Sequence, residues 1–129
     1  MINRVLVVED NAVIRQATLR HLHALGINCY GVISGEEAID LAEFFDLVLM
    51  DVQLPGISGI EASSEIRRVE NQKNLQAVPI IAITSKDCRK ECLAAGMDDY
   101  FEKPISRDQL SNILDDWLYC RPQKHRLLS

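Results

Sequence analysis

A regular alternation of short apolar segments with longer helical segments is the feature that most limits how this chain can fold. Five segments have the length and the β-forming composition of strands: Arg4–Val8, Asn28–Val32, Leu47–Met50, Pro79–Ile83 and Tyr100–Glu102. A segment of helical period follows each of them. Neighbouring parallel strands must be joined by crossover segments of this kind. Strands that are apolar along nearly their whole length are typical of a sheet covered on both faces. The alternation therefore predicts an α/β fold with a doubly wound parallel sheet of five βα units.

The ends of the helical segments can be read from the sequence. The first runs from about Asn11 to Leu25, and Gly26 supplies its stop. One face of this helix should pack on the sheet, and it carries Ile14, Ala17, Thr18, His21, Leu22 and Leu25. Three later helices begin with the capping-box pattern, in which Ser precedes Glu or Gln by three residues: Ser34 and Glu37, Ser58 and Glu61, Ser106 and Gln109.

The length of 129 residues suits one domain. The composition limits the classes of partner that this domain can bind. The net charge of −5 disfavours nucleic-acid binding through a broad basic face. No apolar stretch approaches the roughly 20 residues of a membrane span, and there is no signal-peptide pattern, so we expect a cytoplasmic protein without membrane contact. We expect one domain over residues 1–120 and a short basic tail over residues 121–129.

Polar residues follow four of the five predicted strands, at the point where each strand ends. They are Glu9 and Asp10 after the first, Asp51 after the third, Thr84 and Ser85 after the fourth, and Lys103 after the fifth. The carboxyl ends of parallel strands share one edge of the sheet, where ligands of open α/β sheets bind. We therefore expect three carboxylates, a hydroxyl and an ammonium to lie close together.

The charges of this set indicate a chemistry. Carboxylates about 4 Å apart repel by roughly 4 kcal/mol at a protein-surface dielectric, so a cation must offset them. Lys103 can neutralise one charge, and the remaining hard oxygens suit Mg²⁺. A metal, an ammonium and a hydroxyl around one carboxylate form a set of charge stabilisers for phosphoryl transfer, with the central carboxylate as nucleophile.

Four sequence runs resemble the receiver domain of response regulators, over roughly residues 3–119. They are Val8-Glu9-Asp10, Met50 to Pro55 with Gly59 after it, Ile83-Thr84, and Asp99 to Pro104. The resemblance implies a flavodoxin-like fold with strand order 2-1-3-4-5. It also implies a phosphorylatable switch of a two-component or phosphorelay system, a signalling protein that catalyses only its own phosphoryl transfer and slow autodephosphorylation.

The resemblance assigns roles to the residues at the strand ends. Asp51 would accept a phosphoryl group from a phosphohistidine on a histidine kinase or histidine-phosphotransfer protein. Mg²⁺ would bind Asp10, Asp51 and the backbone carbonyl of Gln53, with Glu9 acting mostly through water. Phosphoryl oxygens would be bound by Thr84, the backbone of Ser85, and Lys103.

A switch and a docking surface are implied in the same way. On phosphorylation Thr84 would move towards the phosphoryl group, and Tyr100 would rotate inward to fill the space it leaves. The Lys103-Pro104 bond would be cis. The donor would dock near Asn11, Ile14, Ala17, Pro104 and Ile105, and the switch would act on a downstream protein that the sequence does not identify.

Two features depart from the family pattern. Ser85 stands where the family prefers Ala or another small residue. The stretch from Thr84 to Lys103 is about three residues shorter than in most receivers, a shortening that we expect at the start of the fourth helix, a usual output surface. Because of this shortening, the residue two after Thr84, Lys86, does not indicate the dephosphorylation rate. Gln53, two after Asp51, should line the path of the attacking water.

Two other classes of protein share part of the pattern. Phosphatases of the haloacid-dehalogenase type use an Asp nucleophile with Mg²⁺, but they carry a second Asp two residues later, where this chain has Gln53. Flavin-binding electron carriers need a Ser/Thr/Gly-rich loop after the first strand, where Glu9 and Asp10 would repel the flavin phosphate. We favour the receiver, either free-standing or part of a hybrid sensor kinase.

Overall fold

The structure is a computed structural model that describes residues 3–119. The basic tail expected over residues 121–129 lies outside the described residues. In the described part of the chain, five strands form one sheet: β1 Arg4–Val8, β2 Asn28–Val32, β3 Leu47–Met50, β4 Ile80–Thr84 and β5 Asp99–Glu102. Their order is β2-β1-β3-β4-β5 and every neighbouring pair is parallel, which confirms the doubly wound sheet and the strand order that the resemblance implied.

Within residues 3–119, four α-helices connect successive strands and a fifth follows β5, and together they cover both faces of the sheet. They are α1 Ala12–Ala24, α2 Gly35–Leu41, α3 Gly59–Lys73, α4 Arg89–Ala94 and α5 Arg107–Leu114. A 3₁₀ turn over Ala42–Phe44 extends α2, and a π-helical turn over Asp115–Tyr119 extends α5. The helix α4, between β4 and β5, has 6 residues. The shortening between Thr84 and Lys103 relative to other receivers stays a prediction.

The strand bounds differ from the prediction at β4 and β5 by one residue. β4 begins at Ile80 rather than Pro79, because proline has no N–H to donate to a ladder. The pairing of β4 with β5 continues through Thr84 opposite Glu102, and the Thr84 carbonyl accepts from the N–H of Lys103 at 3.0 Å. β4 and β5 therefore remain paired as far as the residues that should carry the chemistry.

Two apolar clusters, one on each face of the sheet, form the core. On one face, alternate strand residues such as Val5 and Leu49 pack with α1 and α5. On the other face, Leu6 and Met50 pack with residues of α2, α3 and α4. Because successive residues of a strand point to opposite faces, continuous apolar runs supply both clusters.

The predicted inward face of α1 is only partly buried, which corrects the sequence prediction. Leu22 is the buried residue of this helix, and Leu19 packs beside it, whereas Ile14 is 39% exposed and Leu25 is 47% exposed. Asn11 and Leu25 are the caps rather than helical residues. The apolar face is longer and wider than the area that the sheet covers, so its first two turns face an open groove.

Serine caps fix the starts of the helices nearest the site. Ser58 with Glu61 and Ser106 with Gln109 form reciprocal capping boxes, as predicted. At α2 the pattern differs, because the Glu37 carboxylate accepts from the N–H of Ile33 rather than from that of Ser34.

Within residues 3–119, no helix has the length and apolar content to cross a membrane.

Candidate functional site

The carboxylates expected to converge do lie together at the carboxyl edge of the sheet. Glu9, Asp10 and Asp51 each offer an oxygen, and these three atoms lie within 4.8 Å of one another. Glu9 and Asp51 are each only 5% exposed, whereas Asp10 is open to solvent. The cluster therefore combines two buried charges with one that water can reach.

Lys103 reaches this cluster from the end of β5. Its Nζ lies 2.6 Å from Oε1 of Glu9 and 2.9 Å from Oδ2 of Asp51. Burial would lower the pKa of Lys103, but the hydrogen bonds to the two carboxylates outweigh burial and raise it. Burial is the main cause that raises the pKa of Glu9, and the neighbouring Asp51 charge adds to it. Lys103 therefore remains an ammonium, and Glu9 binds a proton more readily than an ordinary Glu.

The backbone around Asp51 is closely packed against the start of α3. The N–H of Asp51 donates to the Val8 carbonyl, and the N–H of Gln53 donates to Oδ1 of Asp51 at 3.1 Å. A Cβ at Gly59 would lie 2.1 Å from the Asp51 carbonyl oxygen, a contact that no side chain can make. This close approach explains why glycine stands at that position of the motif.

The fourth strand brings a hydroxyl to the same edge. Thr84 is fully buried, and its Oγ1 accepts from the N–H of Lys86 at 3.2 Å. The hydroxyl of Ser85 donates to the side-chain oxygen of Gln53 at 3.2 Å, which bridges the loops after β3 and β4. The short Ser85 side chain therefore leaves the edge open and also makes a contact that an alanine would lack.

Tyr100 already lies inside the protein rather than on its surface. Its ring is buried under the Arg89 guanidinium, whose carbon is 5.2 Å from the ring centre, and its hydroxyl donates to the Lys86 carbonyl. Thr84 and Tyr100 thus both bond to the backbone of Lys86, one at its N–H and one at its carbonyl. The Lys103-Pro104 bond is cis, as the resemblance implied.

An apolar groove of about 440 Å³ opens beside the carboxylates, between the first turns of α1 and the loop after β5. Four of the five predicted docking residues line it: Ile14, Ala17, Pro104 and Ile105. Asn11 caps α1 beside the groove through its Oδ1, which accepts from the N–H groups of Val13 and Ile14.

Sequence reasoning missed two residues near the site. Val13 lines the groove and is 78% exposed, although no apolar periodicity distinguishes it. Arg15 donates to the backbone carbonyls of Glu9 and Asp10, a contact that leaves no mark in a side-chain pattern. Both follow Asp10 within five residues, and that proximity was the one available signal.

Comparison with known proteins decides the family, since residues 5–115 match the response regulator receiver domain. The chain belongs to the response regulator receiver family. This receiver is 40% identical over 119 residues to the sensor protein GacS of Pseudomonas syringae pv. syringae. That match covers 88% of this chain and 13% of GacS, so the chain spans a small part of the length of this relative.

Two solved structures resemble the receiver closely. One is the receiver domain of sensor histidine kinase PA1611 from Pseudomonas aeruginosa PAO1, with a magnesium ion coordinated in its active site cleft. It has 39% identity and a TM-score of 0.79, over 91% of this chain and 98% of that one. The other is the receiver domain of Ssk1 from Saccharomyces cerevisiae, in complex with the histidine phosphotransfer protein Ypd1. Its TM-score is 0.84 at 32% identity, over 90% of this chain and 88% of that one.

The donor atoms of this receiver fit a small hard cation. Three carboxylate oxygens converge, and Mg²⁺ prefers a few carboxylates together with waters. The exposure of Asp10 leaves room for those waters on one side. Lys103 lies against Glu9 and Asp51 on the other side, so it reduces the repulsion between the carboxylates before a cation binds.

Replacement of Lys103 by Met should lower the free energy of unfolding at neutral pH by about 3 kcal/mol, because two buried carboxylates lose their cation. The deficit should shrink as the pH is lowered into the acid range, since Glu9, whose pKa burial raises, then takes up a proton. Urea denaturation at several pH values measures both effects. The control is Lys90→Met, at an exposed position on α4. A deficit that does not change with pH would contradict this interpretation.

Proposed function

We propose that this receiver accepts a phosphoryl group on Asp51 from a phosphohistidine of a partner protein. The observation that carries the proposal is the single ammonium of Lys103 between the buried carboxylates of Glu9 and Asp51. A carboxylate oxygen of Asp51 attacks phosphorus and forms a P–O bond, while the P–N bond of the phosphohistidine breaks. The imidazole leaves with the electron pair and takes a proton from solvent. Asp51 ends as a mixed anhydride, an aspartyl phosphate.

The surrounding groups stabilise the charge of the transferred phosphoryl group. Lys103 already contacts Asp51 and can turn to a phosphoryl oxygen, and Thr84 can donate its hydroxyl to another. Mg²⁺, when bound by Asp10, Asp51 and the Gln53 carbonyl, supplies further neutralisation of these oxygens. Glu9 remains beside Lys103 and acts on the metal mostly through water.

This receiver acts as a signalling switch, and we propose that its catalysis is limited to its own phosphorylation and slow autodephosphorylation. Gln53 stands where a phosphatase of the haloacid-dehalogenase type has its general acid, and a side-chain amide cannot protonate a leaving group. Its contact with Ser85 at the same edge of the sheet supports a role for this amide beside the path of an attacking water. We propose residues 1–120 as the receiver, residues 121–129 as its tail, and the cytoplasm as its location.

The donor, in this proposal, is a histidine kinase or histidine-phosphotransfer protein that covers the apolar groove. The groove leads directly to Glu9, Asp51 and Lys103 along one wall, so a partner on α1 could reach Asp51. The receiver of Ssk1, which has this fold, forms a complex with the phosphotransfer protein Ypd1. Val13 and Ile14 offer this partner an exposed apolar contact.

The switch, in this proposal, acts through the Lys86 backbone. When Thr84 turns its hydroxyl to the phosphoryl group, it releases the N–H of Lys86. The Lys86 carbonyl stays bonded to Tyr100, so movement of the Lys86 backbone carries the Tyr100 ring and the start of α4 with it. A downstream protein that contacts α4 and β5 would detect the change.

Incubation with acetyl phosphate and Mg²⁺ should add one phosphoryl group to the protein, and Asp51→Asn should abolish the addition because the nucleophilic oxygen pair is lost. Intact-mass spectrometry measures the product. Asp108→Asn, at an exposed position on α5, is the control and should label like the wild type. Equal labelling of wild type and Asp51→Asn would refute the assignment of the acceptor.

Replacement of Val13 by Ser should slow transfer from a protein donor several-fold and leave labelling by acetyl phosphate unchanged, because only the protein donor needs the groove. Phosphorylated Ypd1 serves as the surrogate donor, and radiolabel transfer is followed over time. Phe44→Ser removes another exposed apolar side chain, away from the groove, and is the control. A Val13→Ser rate equal to the Phe44→Ser rate would exclude this docking surface.

Beryllium fluoride with Mg²⁺, a phosphoryl mimic, should shift the amide NMR signals of Lys86 and Tyr100 in the wild type. In Thr84→Ala the Lys86 response should largely disappear although the mimic still binds, because no hydroxyl links this amide to the site. Thr18→Ala, on α1, is the control. A wild-type Lys86 response in Thr84→Ala would disprove this coupling.

A further inference from the structure

The guanidinium of Arg15 contacts the loop that carries two of the three carboxylates. Its Nη1 donates to the Glu9 carbonyl oxygen at 2.9 Å and to the Asp10 carbonyl oxygen at 3.3 Å. Arg15 lies on the first turns of α1 and reaches back over the loop that connects β1 to α1. One side chain therefore ties together the backbone of both acidic residues.

The chain provides space for this contact at Gly31. A Cβ at Gly31 would lie 3.0 Å from Cδ of Arg15 and 3.0 Å from Cδ1 of Leu19, tighter than nine in ten real Cβ contacts, so these side chains would have to shift. The Arg15 stem thus crosses β2 where the strand has no side chain. The carbonyl of the next residue, Val32, accepts a hydrogen bond from the N–H of Glu9 at 3.0 Å. The same part of β2 therefore also holds the loop through its backbone.

The two acidic residues of this loop differ in burial, and Asp10 therefore depends more than Glu9 on contacts that hold the backbone. Glu9 is buried, and its carboxylate also accepts from the N–H of Asn11 at 3.1 Å. Asp10 is exposed, so the direction of its carboxylate follows from the backbone that carries it. The bond from Arg15 to the Asp10 carbonyl fixes that backbone. Groups that orient metal ligands in this way commonly change metal affinity 10–100-fold, in order of magnitude.

We propose that Arg15 is a positioning residue for the divalent cation, and that Gly31 is the position that allows it. Arg15 touches neither the metal nor the phosphoryl group; it fixes the Glu9–Asp10 backbone so that the carboxylates converge. The inference rests on the proposed function, because it takes the acidic cluster to be the Mg²⁺ site.

The direction of the change in Mg²⁺ affinity on removal of Arg15 distinguishes a positioning role from a simple effect of its charge. Arg15 is a cation near a cation site, so Coulomb repulsion alone means that its removal would tighten Mg²⁺ binding. Positioning means the opposite, that its removal weakens binding. The two explanations therefore differ in direction and not only in size.

The experiment measures Mg²⁺ binding by isothermal titration calorimetry, without a phosphodonor, for four variants of the full chain. Arg15→Met should raise the Kd for Mg²⁺ about tenfold. Arg15→Lys, which keeps the charge and one donor group, should recover part of the loss. Gly31→Ala, which presses on the Arg15 stem, should raise the Kd less than Arg15→Met does. Arg20→Met, which removes the same charge from an exposed position of α1, should leave the Kd within about twofold of the wild type.

A second measurement separates positioning from a general folding defect. With acetyl phosphate as donor, Arg15→Met should need more Mg²⁺ for half-maximal labelling yet reach the wild-type rate at saturating Mg²⁺. A partly unfolded variant would lose the maximal rate instead. If Arg15→Met does not fold, Arg15→Lys and Gly31→Ala decide the question, and an unchanged Kd in both overturns the inference.

The outcomes also separate this inference from the proposed function. If the wild type binds Mg²⁺ and is labelled on Asp51, but Arg15→Met binds Mg²⁺ as tightly as Arg20→Met or more tightly, only the role of Arg15 is refuted. If the wild type itself binds no Mg²⁺, the metal site of the proposed function fails and the inference fails with it.

Discussion

The ammonium of Lys103 is the interaction on which the rest of the site depends. The sheet places Glu9 and Asp51 side by side after neighbouring strands, buried and of like charge, and Lys103 lies within hydrogen-bond distance of both. Without it, the repulsion of the two carboxylates would oppose the close packing of β1 and β3. The N–H of Lys103 also bonds to the Thr84 carbonyl, so charge and backbone pairing fix the end of β5 together.

The backbone takes a larger part in this site than its motifs suggest. Lys86 joins Thr84 to Tyr100 through its own N–H and carbonyl, and Arg15 joins Glu9 to Asp10 through their carbonyls. Such contacts place functional groups without depending on which side chain the backbone residue carries. Beside the 6-residue α4, the Lys86 contacts link Thr84 on β4 to Tyr100 on β5.

The fold class, most strand bounds and the convergence of charges could be predicted, because each depends on local pattern or on the rule that parallel strands end at one edge. The strand order came from the resemblance to a family. The burial of the α1 face was overestimated, because periodicity shows which residues share a face but not how much of that face a neighbour covers; Ile14 stays 39% exposed. Arg15 could not be predicted, since its partners are carbonyls that every residue has. The Ser34 cap differed because Glu37 found another N–H within reach.

The two apolar clusters have a consequence for how this protein can diverge. The groove for the proposed donor lies on the face that α1 and α5 cover, whereas Tyr100 belongs to the cluster of α2, α3 and α4. Most side chains that line one surface lie on the opposite face of the sheet from those of the other, and Pro104 is shared by both. Donor choice and output choice can therefore drift separately among duplicated copies of such a gene. Both surfaces remain constrained only by the strand ends that they share.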